Sequence, residues 1–167
     1  LSTAFDVSTA SYDSVSFSVS SQDGEATSLV FNNDGTKMYV VGDDNDSVYQ
    51  YTLSTAFDLS TASYDSVSFS VSSQDASPHG LTFNNDGTKM YIVGNTNKIV
   101  YQYTLSTAFD LSTASYNSIG FNVNSQDAAP RDLAFNADGS KMYIVGSTSQ
   151  SVYQYTLSTA FDLSTAS

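Results

Sequence analysis

Gly80-Leu81-Thr82-Phe83-Asn84-Asn85-Asp86-Gly87-Thr88-Lys89-Met90-Tyr91-Ile92-Val93 is the stretch that decides how this chain folds. Gly80 to Phe83 predicts a short strand. Asn84-Asn85-Asp86-Gly87 predicts a turn, with Gly where a positive φ is needed. Lys89 to Val93 is an apolar run without alternation, which predicts a strand buried on both faces. A polar loop, Gly94 to Lys98, separates it from a third strand, Ile99-Val100-Tyr101-Gln102-Tyr103-Thr104. Upstream, Tyr64 to Ser72 alternates: Val67, Phe69 and Val71 face one side, and Ser66, Ser68, Ser70 and Ser72 the other. That pattern predicts a half-buried strand.

The same arrangement recurs along the chain. The hexapeptide Leu-Ser-Thr-Ala-Phe-Asp begins at Leu1, Leu53, Leu105 and Leu157, a spacing of 52 residues. Residues 1–167 therefore read as a single domain of three repeats, 1–52, 53–104 and 105–156, with a partial repeat at 157–167. A period in this range fits four short strands per unit. Called A to D, they grade from a strand of small alternating residues (Val30, Thr82, Ala134), through a fully buried strand, to a half-exposed one. Such a gradient runs from hub to rim in a blade. The fold class is thus all-β, a β-propeller built from four-stranded antiparallel blades, with Leu81 to Phe83 innermost and Tyr64 to Ser72 outermost. Phe109 in the following linker is expected to tuck under its blade.

Three blades do not close a ring, since propellers have four to eight. The phase of the repeat adds to this. A strand D at Tyr12 to Ser20 precedes the first strand A, and Val152 to Thr156, the last strand C, has no strand D after it. A homodimer of six blades is expected, each N-terminal strand completing the last blade of the other copy. Leu1–Ser11 and Leu157–Ser167 are copies of one linker, so one of them must be displaced at each junction. The rival expectation is a piece of a longer array that closes by itself. The sequence opens within a repeat and not at Met, which fits a processed product or an excised fragment.

The run Ser77 to Gly94 resembles the YVTN/lactonase-like and NHL-like family of propeller repeats, which share a Pro-x-Gly opening, an Asn-Asp-Gly turn and a Tyr-Val strand. The linker from Leu53 to Tyr64 resembles repeats of marine bacterial and phage proteins. This resemblance implies the propeller fold across the whole chain, and the lactonase members imply hydrolysis of lactones as one possible activity. The pattern is broken in the first copy, where Glu25-Ala26-Thr27-Ser28 replaces Ser77-Pro78-His79-Gly80, and in the third, where Asp132 replaces the Gly.

Differences among the copies concentrate in two loops. The D–A loops are Gly24 to Ser28, Ala76 to Gly80 and Ala128 to Asp132; the B–C loops are Asp43 to Ser47, Asn95 to Ile99 and Ser147 to Ser151. In an up-and-down blade these loops share one face, at the mouth of the central channel. A ligand site is expected there, at Glu25, Thr27, His79, Arg131 and Asp132, with Asp43, Asp44, Asp46, Lys98 and Gln150 in the second loop. Neutral drift in surface loops explains the variation equally well.

The chemistry of that site is constrained by composition. The net charge is -12 with only five Lys and Arg, so no basic patch for nucleic acid or anionic membrane can form. No apolar run approaches the length of a membrane helix. The chain has no Cys, which excludes disulfides and thiolate metal sites. His79 is the only His, which rules out a poly-His zinc site and leaves no recognisable nucleophile motif around it. Asp43, Asp44 and Asp46 are oxygen ligands of the kind Ca²⁺ takes, but the EF-hand spacing is missing and the other copies lack the carboxylates. Asp34, Asp86 and Asp138 read as turn residues, and Asp23, Asp75 and Asp127 as ties for the D–A loop. The sequence-level expectation is a non-catalytic scaffold or binding module for a glycan or protein ligand, without a cofactor, of extracellular, cell-surface or virion setting. The alternatives are a lactonase-like hydrolase, and a repeat array with no activity of its own.

Overall fold

A computed structural model describes residues 4–167. Leu1 to Thr3, where the first linker copy begins, lie outside the described residues. The described residues form eleven strands: β1 Ala26–Phe31, β2 Lys37–Gly42, β3 Ser47–Leu53, β4 Ala62–Ser70, β5 Pro78–Phe83, β6 Lys89–Gly94, β7 Ile99–Leu105, β8 Ala114–Asn122, β9 Pro130–Phe135, β10 Lys141–Gly146 and β11 Val152–Thr156. They make two four-stranded antiparallel sheets, β1-β2-β3-β4 and β5-β6-β7-β8, and a three-stranded one, β9-β10-β11. Strand A begins two residues earlier than the sequence suggests, at Pro78, because Pro78 still pairs with Gly94 across a register shift.

The order of burial is the expected one. Strand A lies at the hub, where β1 touches β5 and β5 touches β9. Strand B is buried on both faces: Met90, Tyr91, Ile92 and Val93 are all inaccessible. Strand D carries Val67 and Phe69 inward and exposes Ser66, Ser68 and Ser70. Its alternation is interrupted at Asp65-Ser66. Tyr64 pairs with Tyr51, the next pair is Val67 with Gln50, and Ser66 has φ 58. This is a β-bulge, and its counterpart in the next blade is Ser118 at φ 61.

Blades pack through aromatic and apolar side chains. Tyr39, Val41 and Val48 of the first blade join Leu81, Met90, Ile92 and Tyr103 of the second in one core. Tyr91, Val93 and Val100 of the second join Leu133, Met142 and Ile144 of the third. Each seam repeats the same contacts: Tyr39 packs on Phe83 and Tyr91 on Phe135 as tilted ring pairs, both at 4.6 Å between ring centroids. The Tyr39 hydroxyl donates to the carbonyl of Phe109, and that of Tyr91 to Phe161. Gln50 Oε1 accepts the Leu111 amide at 2.8 Å, and Gln102 Oε1 the Leu163 amide at 3.0 Å.

One expected element is absent as a strand. Among the described residues Tyr12 to Ser20 pairs with no strand, because a strand D forms only against a strand C and none of β3, β7 and β11 lies beside it in a sheet.

Candidate functional site at the mouth of the hub

The D–A and B–C loops do share a face, and a buried carboxylate joins them. Asp75 Oδ1 accepts the amides of Ser77, at 2.9 Å, and Thr96, at 3.0 Å, while Oδ2 accepts that of Asn97 at 2.8 Å. Asp23 and Asp127 do the same in the other blades. This tie requires Gly at the end of strand B, since a Cβ on Gly94 would overlap the Asp75 carboxylate. The sequence points to the tie, but not to its second loop or to the Gly.

Across the seam between the second and third blades, Arg131 Nη1 lies 2.8 Å from His79 Nε2. Arg131 Nε donates to Ser147 Oγ at 3.2 Å, and Ser77 Oγ lies 3.4 Å from the same His79 nitrogen. A guanidinium only donates, so His79 Nε2 accepts and the ring is neutral with its proton on Nδ1. Burial and the Arg131 charge both lower the His79 pKa, against the raising fields of Asp43, Asp75 and Glu25. Three of the sequence-predicted residues, Glu25, Asp43 and Arg131, therefore act on His79 directly or through their charge. Asp132 sits against Gly80, where its backbone and carboxylate fill the space a Cβ would take.

The other predicted residues serve the backbone. The single Thr27 hydroxyl proton lies between the carbonyls of Pro78, at 2.9 Å, and Val41, at 3.2 Å, and its bond to Pro78 fastens the first blade to the second. Asp46, Lys98 and Gln150 stand at one repeated position with φ 47, 55 and 53, the left-handed residue of the B–C turn. Lys98 Nζ turns back onto the Thr96 carbonyl at 2.8 Å. Asp44 reaches toward Gly24 and not toward His79. Among the described residues, no group of three or more His, Cys, Asp or Glu side chains is placed to hold a metal ion.

The sequence matches no protein-family model and no curated protein. Solved structures do match. One is provisionally assigned as a 6-phosphogluconolactonase from Bacteroides uniformis, with a TM-score of 0.61 and 13% identity, covering 79% of this chain and 37% of that one. A second, with the same provisional assignment, from Bacteroides fragilis, has a TM-score of 0.60 and 15% identity, covering 85% of this chain and 40% of that one. A third is a periplasmic gluconolactonase of Pseudomonas aeruginosa, with a TM-score of 0.58 and 14% identity, covering 79% of this chain and 35% of that one. The chain thus spans 35% to 40% of the length of these three structures. At such identities the likeness is one of fold, and that fold is the β-propeller.

Proposed function

We propose that this protein is a ligand-binding β-propeller whose recognition face is made by the D–A and B–C loops. The observation that carries this reading is the contact of His79 with Arg131. These residues occupy the same position in consecutive repeats, where the first repeat has Thr27, and the fold joins them at the hub. Arg131 is exposed and presents its guanidinium beside His79, which also feels the charges of Asp43, Asp75 and Glu25. An exposed guanidinium flanked by the hydrogen-bonding side chains of His79 and Ser147 suits a small, hydroxyl-rich ligand bearing one carboxylate, such as a uronic acid at the end of a glycan. Screening on an array of neutral and acidic glycans, with and without Ca²⁺, tests this. Binding is expected to favour acidic glycans, to be independent of Ca²⁺, and to weaken about tenfold or more in Arg131→Ala, the loss of one charge-assisted hydrogen bond. Binding that survives Arg131→Ala unchanged would move the ligand away from this face.

The second reading is lactone hydrolysis, and the lactonase-like fold neighbours favour it. In this chain the general base would be neutral His79. Against it stands the use of Nε2 as the acceptor for Arg131, with no carboxylate hydrogen-bonded to the ring among the described residues. A sugar δ-lactone assay separates the readings. Turnover abolished by His79→Ala would replace the binding module with a hydrolase.

A further inference from the structure

We infer that two copies of this chain close a six-bladed ring by exchanging their N-terminal strands. Tyr12–Ser20 of each copy becomes the fourth strand of the other's third blade. The third blade is prepared for it. Along the outer edge of β11 the described pairing is the bridge of Leu157 with Ala166 and the paired hydrogen bonds of Thr156 with Ser167. These are the counterparts of Leu53 with Ala62 and Thr52 with Ser63, the first two pairs of strand D in the first blade. The next pair there is Tyr51 with Tyr64; on β11 the corresponding Tyr155 pairs with Met142 of β10 on one side and, among the described residues, with no strand on the other.

The missing segment is present at the other end of the chain, already shaped. Tyr12 to Ser20 is identical in sequence to Tyr64 to Ser72. Ser14 holds φ 60, the bulge conformation of Ser66 at φ 58, without any ladder to impose it. Phe17 meets Tyr51 edge-on at 5.5 Å, as Phe69 meets Tyr103 at 5.5 Å. The segment therefore already lies against the first blade as the outer strand of a preceding blade would.

The end faces match in the same way. Leu29 is 59% exposed, while its counterpart Leu81 inside the arc is 3% exposed. Val152 is 68% exposed, while its counterpart Val100 is fully buried. A cavity of about 370 Å³ on the first blade is lined by Leu29, Met38, Val40 and Leu59. A hollow on the third is lined by Leu133, Tyr143, Val145 and Val152. Inside the arc, the residues corresponding to these two sets pack on each other. The polar groups also correspond: the Tyr143 hydroxyl and Gln154 stand where Tyr39 and Gln50 do, facing the partner's Phe57 carbonyl and Leu59 amide. Lys141 would meet the partner's Asp13, as Lys37 meets Asp65 at 3.6 Å. The linker conflict is settled in favour of the C-terminal copy, whose Leu163 is buried, while Phe5 of the other copy is 98% exposed.

Light scattering behind size exclusion should give twice the chain mass of 17.9 kDa, about 36 kDa. Val152→Glu, at a site exposed in a lone arc, should lower it to one chain with an unchanged circular dichroism spectrum. Ser16→Cys together with Tyr153→Cys tests the register, because Tyr49 pairs with Ser68 in the first blade. In this chain without other Cys, oxidation should yield a disulfide between chains, with a two-chain band on a non-reducing gel. A single-chain mass at every concentration, a three-chain mass, or oxidation without the interchain disulfide would overturn the exchange.

Discussion

The ring of Phe109 occupies the space that a Cβ on Gly87 would need, and Gly87 itself holds φ 71. Two demands thus meet at one glycine. The turn between strands A and B requires the left-handed region, and the linker from the same blade folds back so closely that no side chain fits. The Phe109 amide donates to the Gly87 carbonyl at 2.9 Å, and the ring packs at a tilt against Phe83, 5.6 Å between centroids. Phe57 with Gly35 and Phe161 with Gly139 repeat the arrangement. Gly87→Ala is expected to lose about 3 kcal/mol, combining backbone strain with overpacking. Urea unfolding measures it. A loss no larger than that of an exposed Ser68→Ala control would show that the linker yields freely, contrary to this reading.

Gln50, with Thr27 and Tyr39, is one of the polar residues that lock the first blade to the second. It is buried, its Oε1 accepts the Leu111 amide, and its Nε2 donates to Asp65 at 2.8 Å. Gln50→Ala leaves a buried amide and a half-buried carboxylate without this partner. A loss of about 2 kcal/mol in unfolding free energy is expected. Gln50→Glu keeps an acceptor for Leu111 but sets a carboxylate against Asp65, so it should recover stability only at acid pH. Equal stability of Gln50→Ala and wild type would remove the seam from the account of the fold.

Much of this architecture is legible in the repeat. The Asn-Asp-Gly turn, the doubly buried Lys89–Val93 run and the alternation of Tyr64–Ser72 each carry a local signal, and the structure contains all three. The bulge at Ser66 carries none, because Ser has no preference for positive φ and the register shift arises from pairing with β3. Tyr12–Ser20 marks a sharper limit. Its sequence is that of Tyr64–Ser72, yet only the second is a strand, since pairing depends on a neighbour and not on the segment. In the candidate site, the shared loop face follows from up-and-down topology. The nearness of His79 and Arg131 could be read from their spacing of one repeat, which stacks equivalent positions on adjacent blades. The roles of Asp46, Lys98 and Gln150 could not, because variable side chains there conceal a constant backbone conformation.

Acid sensitivity should trace to the carboxylates that tie the loops. Asp127 is held down to about 2, first by the Ser149 hydroxyl and then by the amides of Ser149, Ala129 and Thr148, against its burial. In the unfolded chain an Asp titrates near ~3.9. A carboxylate whose pKa is lowered by folding stabilises the native state fully above the unfolded value, and loses that contribution as pH falls through the folded one. Asp34, Asp86, Asp138 and Asp162 are lowered in the same direction by the hydroxyls of Thr36, Thr88, Ser140 and Ser164. The unfolding midpoint in urea is therefore expected to be flat near neutrality and to fall between about pH 4 and pH 2. Acidification also relieves the self-repulsion of a chain with net charge -12, which acts in the opposite sense. Ser149→Ala separates the two, because it leaves the net charge alone and removes the largest cause of the Asp127 shift. The variant should be less stable than wild type at pH 6, and the gap should shrink as pH falls through the window. A gap that stays constant from pH 6 to pH 2 would show that the Ser149 hydroxyl stabilises the loop without acting through the Asp127 charge.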